Sequence, residues 1–311
     1  MTLRITTQHA FDAGVSNLQK RQQEMSDAQE RLTSGKRVAV ASDDPVAAAR
    51  AERALAAMLR KETEQRALEA SRNVMQQAES SLGDAGELLQ QARELVVNAG
   101  NGSYDDTNRQ TLAVRLKGLR DQLLAVANRD DGAGSYVFAG QGTKAPPFVD
   151  TPTGVAYQGS AGQTQVPAGE SLPMSVDGQQ AWLEAPAAVA GDPPLSIFKV
   201  LDSAITSLST PGISNDDIAA AVKTGIGDLD RFNNHLLAVR ADAGEALNRM
   251  DQAELRIADG KLASQAEKSN AEDLDLVQAL SDFQNRQTGY DAALKAYSLV
   301  QRMSLFNYIS G

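Results

Sequence analysis

LVQALSDFQNRQTGYDAALKAYSLVQ, residues 276–301, carries the pattern from which the rest of the chain is read. Leu276, Leu280, Phe283, Gln287, Tyr290, Leu294, Tyr297 and Gln301 recur at a 4-3-4-3 spacing, which places all eight along one stripe of an α-helix. In heptad terms Leu276, Phe283, Tyr290 and Tyr297 occupy d, and Leu280, Gln287, Leu294 and Gln301 occupy a. Every second a site is therefore an amide, which a closed apolar core would not select, and the stripe calls for partners.

The other end of the chain repeats the pattern. Gln8, Phe11, Val15, Leu18, Gln22, Met25, Gln29 and Leu32 step by 3-4-3-4, again with amides at a. Residues 1–40 hold six Lys/Arg and four Asp/Glu while residues 271–311 hold three and five, a difference of sign that favours pairing the two ends. About thirty residues of helix span roughly 45 Å, and so narrow a stripe is not stable alone in water. Both ends are expected to be mobile in a free monomer and to order when neighbours complete the seam, with the amides setting register.

Composition narrows the class. The chain has 311 residues, 42% hydrophobic but only 5% aromatic, so its apolar content is mainly Ala, Leu and Val and suits helix-on-helix packing. A net charge of -10 lacks the basic face that nucleic acid or an anionic membrane requires. No cysteine is present, which removes disulfides, thiolate metal sites and Cys nucleophiles. The N-terminus shows neither a signal-peptide core nor a small-residue cleavage site, and no eighteen apolar residues run together, so neither a cleaved signal peptide nor membrane insertion is expected.

Between the ends, TSGKRVAVASDDPVAAAR at 33–50 separates two helices. Gly35 reads as a C-cap with Lys36 and Arg37 placed to meet the last carbonyls. Asp44 reads as an N-cap and Pro45 as the first residue of the next helix, with Asp43 adding charge against its dipole. The Asp pair also admits a metal, but no further ligands follow at loop spacing. A long helix then carries Val74, Ala78, Ser81, Ala85, Leu88, Ala92 and Leu95, and after the turn at 98–103 another carries Leu112, Leu116, Leu119, Leu123 and Val126. Residues 131–194 hold eight of the ten prolines and ten of the glycines, which argues against helix and for short strands at 135–138, 155–157, 163–166 and 172–176, with Trp182 in their core. Beyond 194 helix returns, with Leu229, Phe232, Leu236, Val239, Ala243, Ala246, Met250, Ala253 and Ile257 as its stripe.

The order of these pieces resembles the bacterial flagellin superfamily. LTSGKRVAVASDDPVAAARAE at 32–52, NAGNGSYDDTNRQ at 98–110, LRDQLLAVAN at 119–128, SYVFAG at 135–140 and SLVQRMSLFNYIS at 298–310 carry the likeness, and DDPVAA is similar to the hook–filament junction branch. The resemblance implies a structural subunit at the junction of hook and filament, outside the cell on the flagellum, exported through the flagellar type III route. It also implies partners: further copies in a tube or ring, the first hook-associated protein, flagellin, and an export chaperone.

The fold expected is mainly α with a small β insert: a long antiparallel helical bundle, terminal coiled-coil helices and a central β-rich region. Its parts are an N-terminal assembly helix (1–40), two halves of the bundle (41–131 and 195–270), the insert (132–194) and a C-terminal assembly helix (271–311). The candidate assembly residues are Phe11, Val15, Leu18, Gln22, Met25, Gln29 and Leu32 with Leu276, Leu280, Phe283, Gln287, Tyr290, Leu294, Tyr297 and Gln301. No catalytic, cofactor or metal residues are expected: His9 and His235 lie in helices without a nucleophile or carboxylate set, and AGQGTK at 139–144 lacks phosphate-loop spacing and reads as a hairpin turn. A filament flagellin is the neighbouring alternative; a secreted binding protein or adhesin with the helices as stalk is the alternative from another class.

Overall fold

The computed structural model describes residues 2–140, 144–160, 165–167, 171–173, 175–189 and 191–309. The order of elements is α1 (Thr2–Ser34), α2 (Pro45–Ala99), α3 (Asp106–Ala127), β1 (Phe148–Thr151), β2 (Gly154–Tyr157), β3 (Gln165–Pro167), β4 (Ser171–Pro173), α4 (Gly178–Leu183), α5 (Ile197–Ser209), α6 (Asn215–Glu272) and α7 (Leu276–Ile309). The fold is mainly α with a small β insert, as an apolar content of Ala, Leu and Val implies. It divides into two compact units: Met1–Lys61 with Asp259–Gly311, and Glu62–Ala258. The boundaries fall about twenty residues inside those expected on one side and about twelve on the other, because α2 and α6 run unbroken past the positions where the sequence pattern changes.

In the unit of Glu62–Ala258, α2 buries Met75, Ala78, Leu82, Ala85, Leu89, Ala92 and Val96. This stripe is rotated by about half a residue step from the expected one: the alanines are shared, but Val74, Leu88 and Leu95 move to its flank. Apolar residues stand side by side in this Ala-rich helix, so periodicity alone cannot choose between overlapping faces. Ser81 is buried nonetheless, its hydroxyl donating to the Gln77 carbonyl at 2.6 Å and accepting from Arg129 at 3.1 Å. On α6, Leu229, Phe232, Leu236, Ala243, Ala246, Met250, Ala253 and Ile257 are buried and Val239 is half-buried. Arg72 with Asp251 and Glu254, Arg93 with Asp230, and Glu79 with Arg240 pair α2 to α6 with numbering that runs in opposite senses. The two helices are therefore antiparallel; partly exposed pairs of this kind contribute at most about 1 kcal/mol each and serve mainly to fix register.

The insert shares that core. β1 pairs antiparallel with β2, Phe148 opposite Tyr157 and Thr151 opposite Gly154, and β3 pairs with β4. Trp182 is fully buried, with its ring 5.4 Å from Phe138, 6.3 Å from Phe148 and 6.4 Å from Phe198 of α5. Two expectations are corrected here. Helix is not excluded between 131 and 194, since Asp177 caps α4 by accepting from the N–H groups of Gln179 and Gln180 and so places Trp182 on a helical turn. Residues 135–138 form no strand; only a single bridge, Asp130 to Tyr136, occurs there. Their place is taken by β1, fixed at its start by Asn128, whose side-chain amide donates to the Phe148 carbonyl at 2.8 Å and accepts from its N–H at 2.9 Å. Gln163 and residues 141–143 of the expected turn lie outside the described residues.

Arg120 of α3 ties the insert to the helices. Its guanidinium, 6% exposed, donates to both carboxylate oxygens of Asp150 on β1 at 2.6 and 2.8 Å and to Asp202 on α5 at 2.7 Å. The Arg120 hydrogen bond holds the Asp150 carboxyl below its ordinary range, and burial pushes the Tyr157 phenol up to about 12.

Candidate assembly interface

The unit formed by residues 1–61 and 259–311 is built on the pairing of α1 with α7. Phe11 meets Tyr297 with ring centroids 5.6 Å apart, Arg286 reaches the Glu24 carbonyl at 3.4 Å, and Lys36 bridges Asp273, so the two helices run antiparallel. Two mid-helix glycines shape the contact. A Cβ on Gly14 would stand 3.1 Å from the Tyr297 ring, and one on Gly289 would stand 2.7 Å from Arg21 Nη1. Each helix thus accepts a side chain of the other into a notch where it has no side chain. Heptad counting passes over these positions, although an isolated Gly inside a helical pattern is a signal of close approach.

The pairing divides the expected stripe in two. Val15, Leu18, Met25 and Leu32 of α1 and Phe283, Tyr290 and Tyr297 of α7 are half-buried. Gln22 and Gln29 are exposed, as is Gln287. Phe11 remains 44% exposed, Leu276 59%, Leu280 52% and Leu294 41%. The d tier of α7 below Leu276 turns inward and its a tier is left open. Gln301 lies in α7, but its side chain is outside the described ones. Within this pair Gln22, Gln29 and Gln287 are exposed, and the close approach of the two helices falls at Gly14 and Gly289.

The joint at the base of the pair is held from both strands. Gly35 adopts φ +69° and its N–H donates to the Arg31 carbonyl at 2.9 Å, ending α1. Asp44 Oδ1 accepts from Val46 and Ala47 at 3.1 and 3.0 Å, and Pro45 opens α2. These two N–H donors and Arg37 hold the Asp44 carboxyl below its ordinary range, with Ala47 the larger cause. Asp43 turns back into the loop and accepts from Ala39 and Val40 at 3.0 and 3.1 Å, which lowers its pKa in turn; its role is in the loop, not at the helix dipole. Lys36 and Arg37 also depart from expectation. They leave the end of α1 and reach across to Glu272 at 3.4 Å and to the Ala271 carbonyl at 2.7 Å.

Among the described residues no three His, Cys, Asp or Glu side chains converge as a metal site would need, and no helix is long and apolar enough to cross a membrane. His9 is exposed, and His235 Nε2 lies 2.9 Å from the Gln180 carbonyl beside the Phe232 ring. Charged groups in the groove between α1 and α7 are engaged with their own neighbours: Asp27 accepts from Gln23, Asp282 from Gln278, and Asp275 caps α7.

What the two units define is a helical protein whose paired ends present an unfilled apolar tier. The family model of the bacterial flagellin N-terminal helical region matches residues 5–143. Flagellar hook-associated protein 3 of Salmonella typhimurium is 33% identical over 98% of this chain and 99% of its own length. Flagellin of Bacillus subtilis is 24% identical over 82% of each chain. The crystal structure of flagellar hook-associated protein 3 from Legionella pneumophila superimposes with a TM-score of 0.62 at 20% identity, covering 69% of this chain and 97% of that one. The chain belongs to the flagellar hook-associated protein 3 family of the bacterial flagellin superfamily.

Proposed function

We infer that this chain is a structural subunit of the bacterial flagellum, outside the cell, forming the junction between hook and filament and assembling through α1 and α7. The observation that carries the reading is the half-filled seam. Leu276, Leu280 and Leu294 stand 59%, 52% and 41% exposed on one helix whose other face is already packed. Completing the burial of such a side chain contributes on the order of 1–2 kcal/mol, and a different face of a second copy supplies the complement. Repetition of a head-to-tail contact between identical subunits gives a ring or tube. On this reading Phe11, Gln22, Gln29 and Gln287 face the neighbouring copy, where the amides set register as polar a-site residues do. The first hook-associated protein then lies toward the hook and flagellin toward the filament, and an export chaperone covers the open tier of α7 before delivery. Family membership supports the junction over a filament flagellin, since the junction relative matches more closely and over more of the chain.

The double variant Leu280→Glu/Leu294→Glu tests this directly. Both positions are exposed, so folding stability should stay within about 0.5 kcal/mol of the parent, while self-association followed by light scattering and the shedding of unpolymerised flagellin by complemented cells report assembly. Loss of assembly with an unchanged circular dichroism melt is expected; normal polymerisation and normal filaments would show that the a tier is not the interface.

A further inference from the structure

The breaks in the two long helical tracks face each other. One lies at residues 35–44 between α1 and α2 and the other at 273–275 between α6 and α7. Three backbone hydrogen bonds cross between them: Arg37 N–H to the Glu272 carbonyl at 2.7 Å, Val38 N–H to the same carbonyl at 3.3 Å, and Leu274 N–H to the Gly35 carbonyl at 2.9 Å. Side chains reinforce the crossing. Glu272 receives Lys36 at 3.4 Å and Lys268 at 3.1 Å, and Arg37 donates to the Ala271 carbonyl while its other arm meets Asp44 at 3.3 Å. Val38 and Ala271 are the buried apolar residues of this joint, 5% and 6% exposed.

We propose that this crossing is a clamp that nucleates the pairing of α1 with α7 and fixes its register from the base, and that it stays closed when the helices enter an assembly. Lys36 and Asp273 are more than 200 positions apart in sequence. Without a fixed base, each α1–α7 contact would carry the entropy of closing so long a loop, and the first contact always carries most of it. With the base held, each further contact extends an existing two-helix pair, and the notches at Gly289 and Gly14 engage in turn as pairing runs outward. Backbone bonds suit this role because they impose one register whatever the side chains above them do. The part of the proposal that concerns assembly rests on the function inferred above; the part that concerns pairing does not.

The chain contains no cysteine, so an introduced pair reports without interference. Lys36 and Asp273 are bridge partners flanked by the Arg37–Glu272 and Gly35–Leu274 bonds. They are therefore a non-hydrogen-bonded antiparallel pair, for which Cα atoms lie about 4.5 Å apart, inside the range of a disulfide. In the full-length Lys36→Cys/Asp273→Cys variant a disulfide should form under native conditions. Amide exchange should be slowest at 25–34 and 276–286 and faster toward the chain ends, and the oxidised variant should assemble as the reduced one does. A second variant, Leu274→Pro, removes one crossing N–H and should speed exchange in α1 and α7 by roughly five- to tenfold, with α3 and α5 unchanged. Cross-linking only after denaturation, protection no higher at the base than at the ends, or an oxidised chain that fails to assemble where the reduced one succeeds would each overturn the clamp. If neither form nor the parent assembles, it is the junction function that fails, and the clamp is then judged by the cross-link and the exchange gradient alone.

Discussion

The two units solve the problem of burial in opposite ways. Between Glu62 and Ala258 the fully buried side chains include Trp182, Phe138, Phe148, Phe198 and Phe232, closed on all sides by helices and the insert. In the unit of residues 1–61 and 259–311 the buried apolar side chains among the described residues are Val38, Ala47, Ala51, Ala54 and Ala271, while Leu59, Leu262, Leu276, Leu280 and Leu294 stand open. The first has a core of the kind that folds a chain by itself. The second leaves its large inward residues, Phe283, Tyr290 and Tyr297, only half-buried, and several leucines open. Heptad spacing is common to both and does not distinguish them; how completely the inward side chains are buried does.

Removing the largest inward side chain should expose the contrast most strongly. Trp182→Ala takes away the ring around which Phe138, Phe148 and Phe198 pack and should cost about 3–5 kcal/mol, read as a lowered midpoint of urea unfolding followed by circular dichroism. A loss below about 1 kcal/mol would mean that the aromatic cluster does not organise the unit. Next in size is the link between insert and helices. Arg120→Met should cost about 2 kcal/mol, because two charge-assisted contacts are lost while the carboxylates left behind, 48% and 39% exposed, regain water. The pH dependence gives a separate readout. Asp150 has a lowered pKa in the folded state, so its contribution is complete above the ordinary value of 3.8 and is lost as pH falls through the lowered one. The parent should therefore lose stability on acidification over that window, and the Met variant should lose less of it. The smallest effects belong to the terminal pair. Gly289→Ala meets only the mobile end of Arg21 and gains helix propensity, so it should stabilise α7 by up to about 1 kcal/mol. Gly14→Ala meets the Tyr297 ring, which also packs on Phe11, and should instead weaken the pair. Exchange rates in α7 measured for both variants should move in opposite directions; equal shifts would show that the Tyr297 ring yields to a Cβ at Gly14 as readily as Arg21 does at Gly289.

Much of this was legible in residue order. The stripes of α6 and of the two ends, the turn at 98–103, the loop at 35–44 with its Gly35 and its Asp44-Pro45 start, and the Pro- and Gly-rich insert all follow from local rules, because caps, turns and amphipathic faces depend on neighbours within a few positions. The rotation of the α2 stripe, the α4 turn beneath Trp182 and the substitution of β1 for a strand at 135–138 were not, since each depends on which distant surface a segment meets. The reach of Lys36 and Arg37 across to Glu272 and Ala271 is of the same kind.

The sequence by itself determined that both ends are amphipathic helices with amides among their a sites, because a 4-3 spacing fixes a stripe on any α-helix. Which half of each stripe is filled was decided only by the tertiary structure. The approach of α1 to α7 through Gly14 and Gly289 turns Phe283, Tyr290 and Tyr297 inward and leaves Leu280 and Leu294 out. Periodicity names a face, and only the packing of two particular helices selects the edge of that face that is covered.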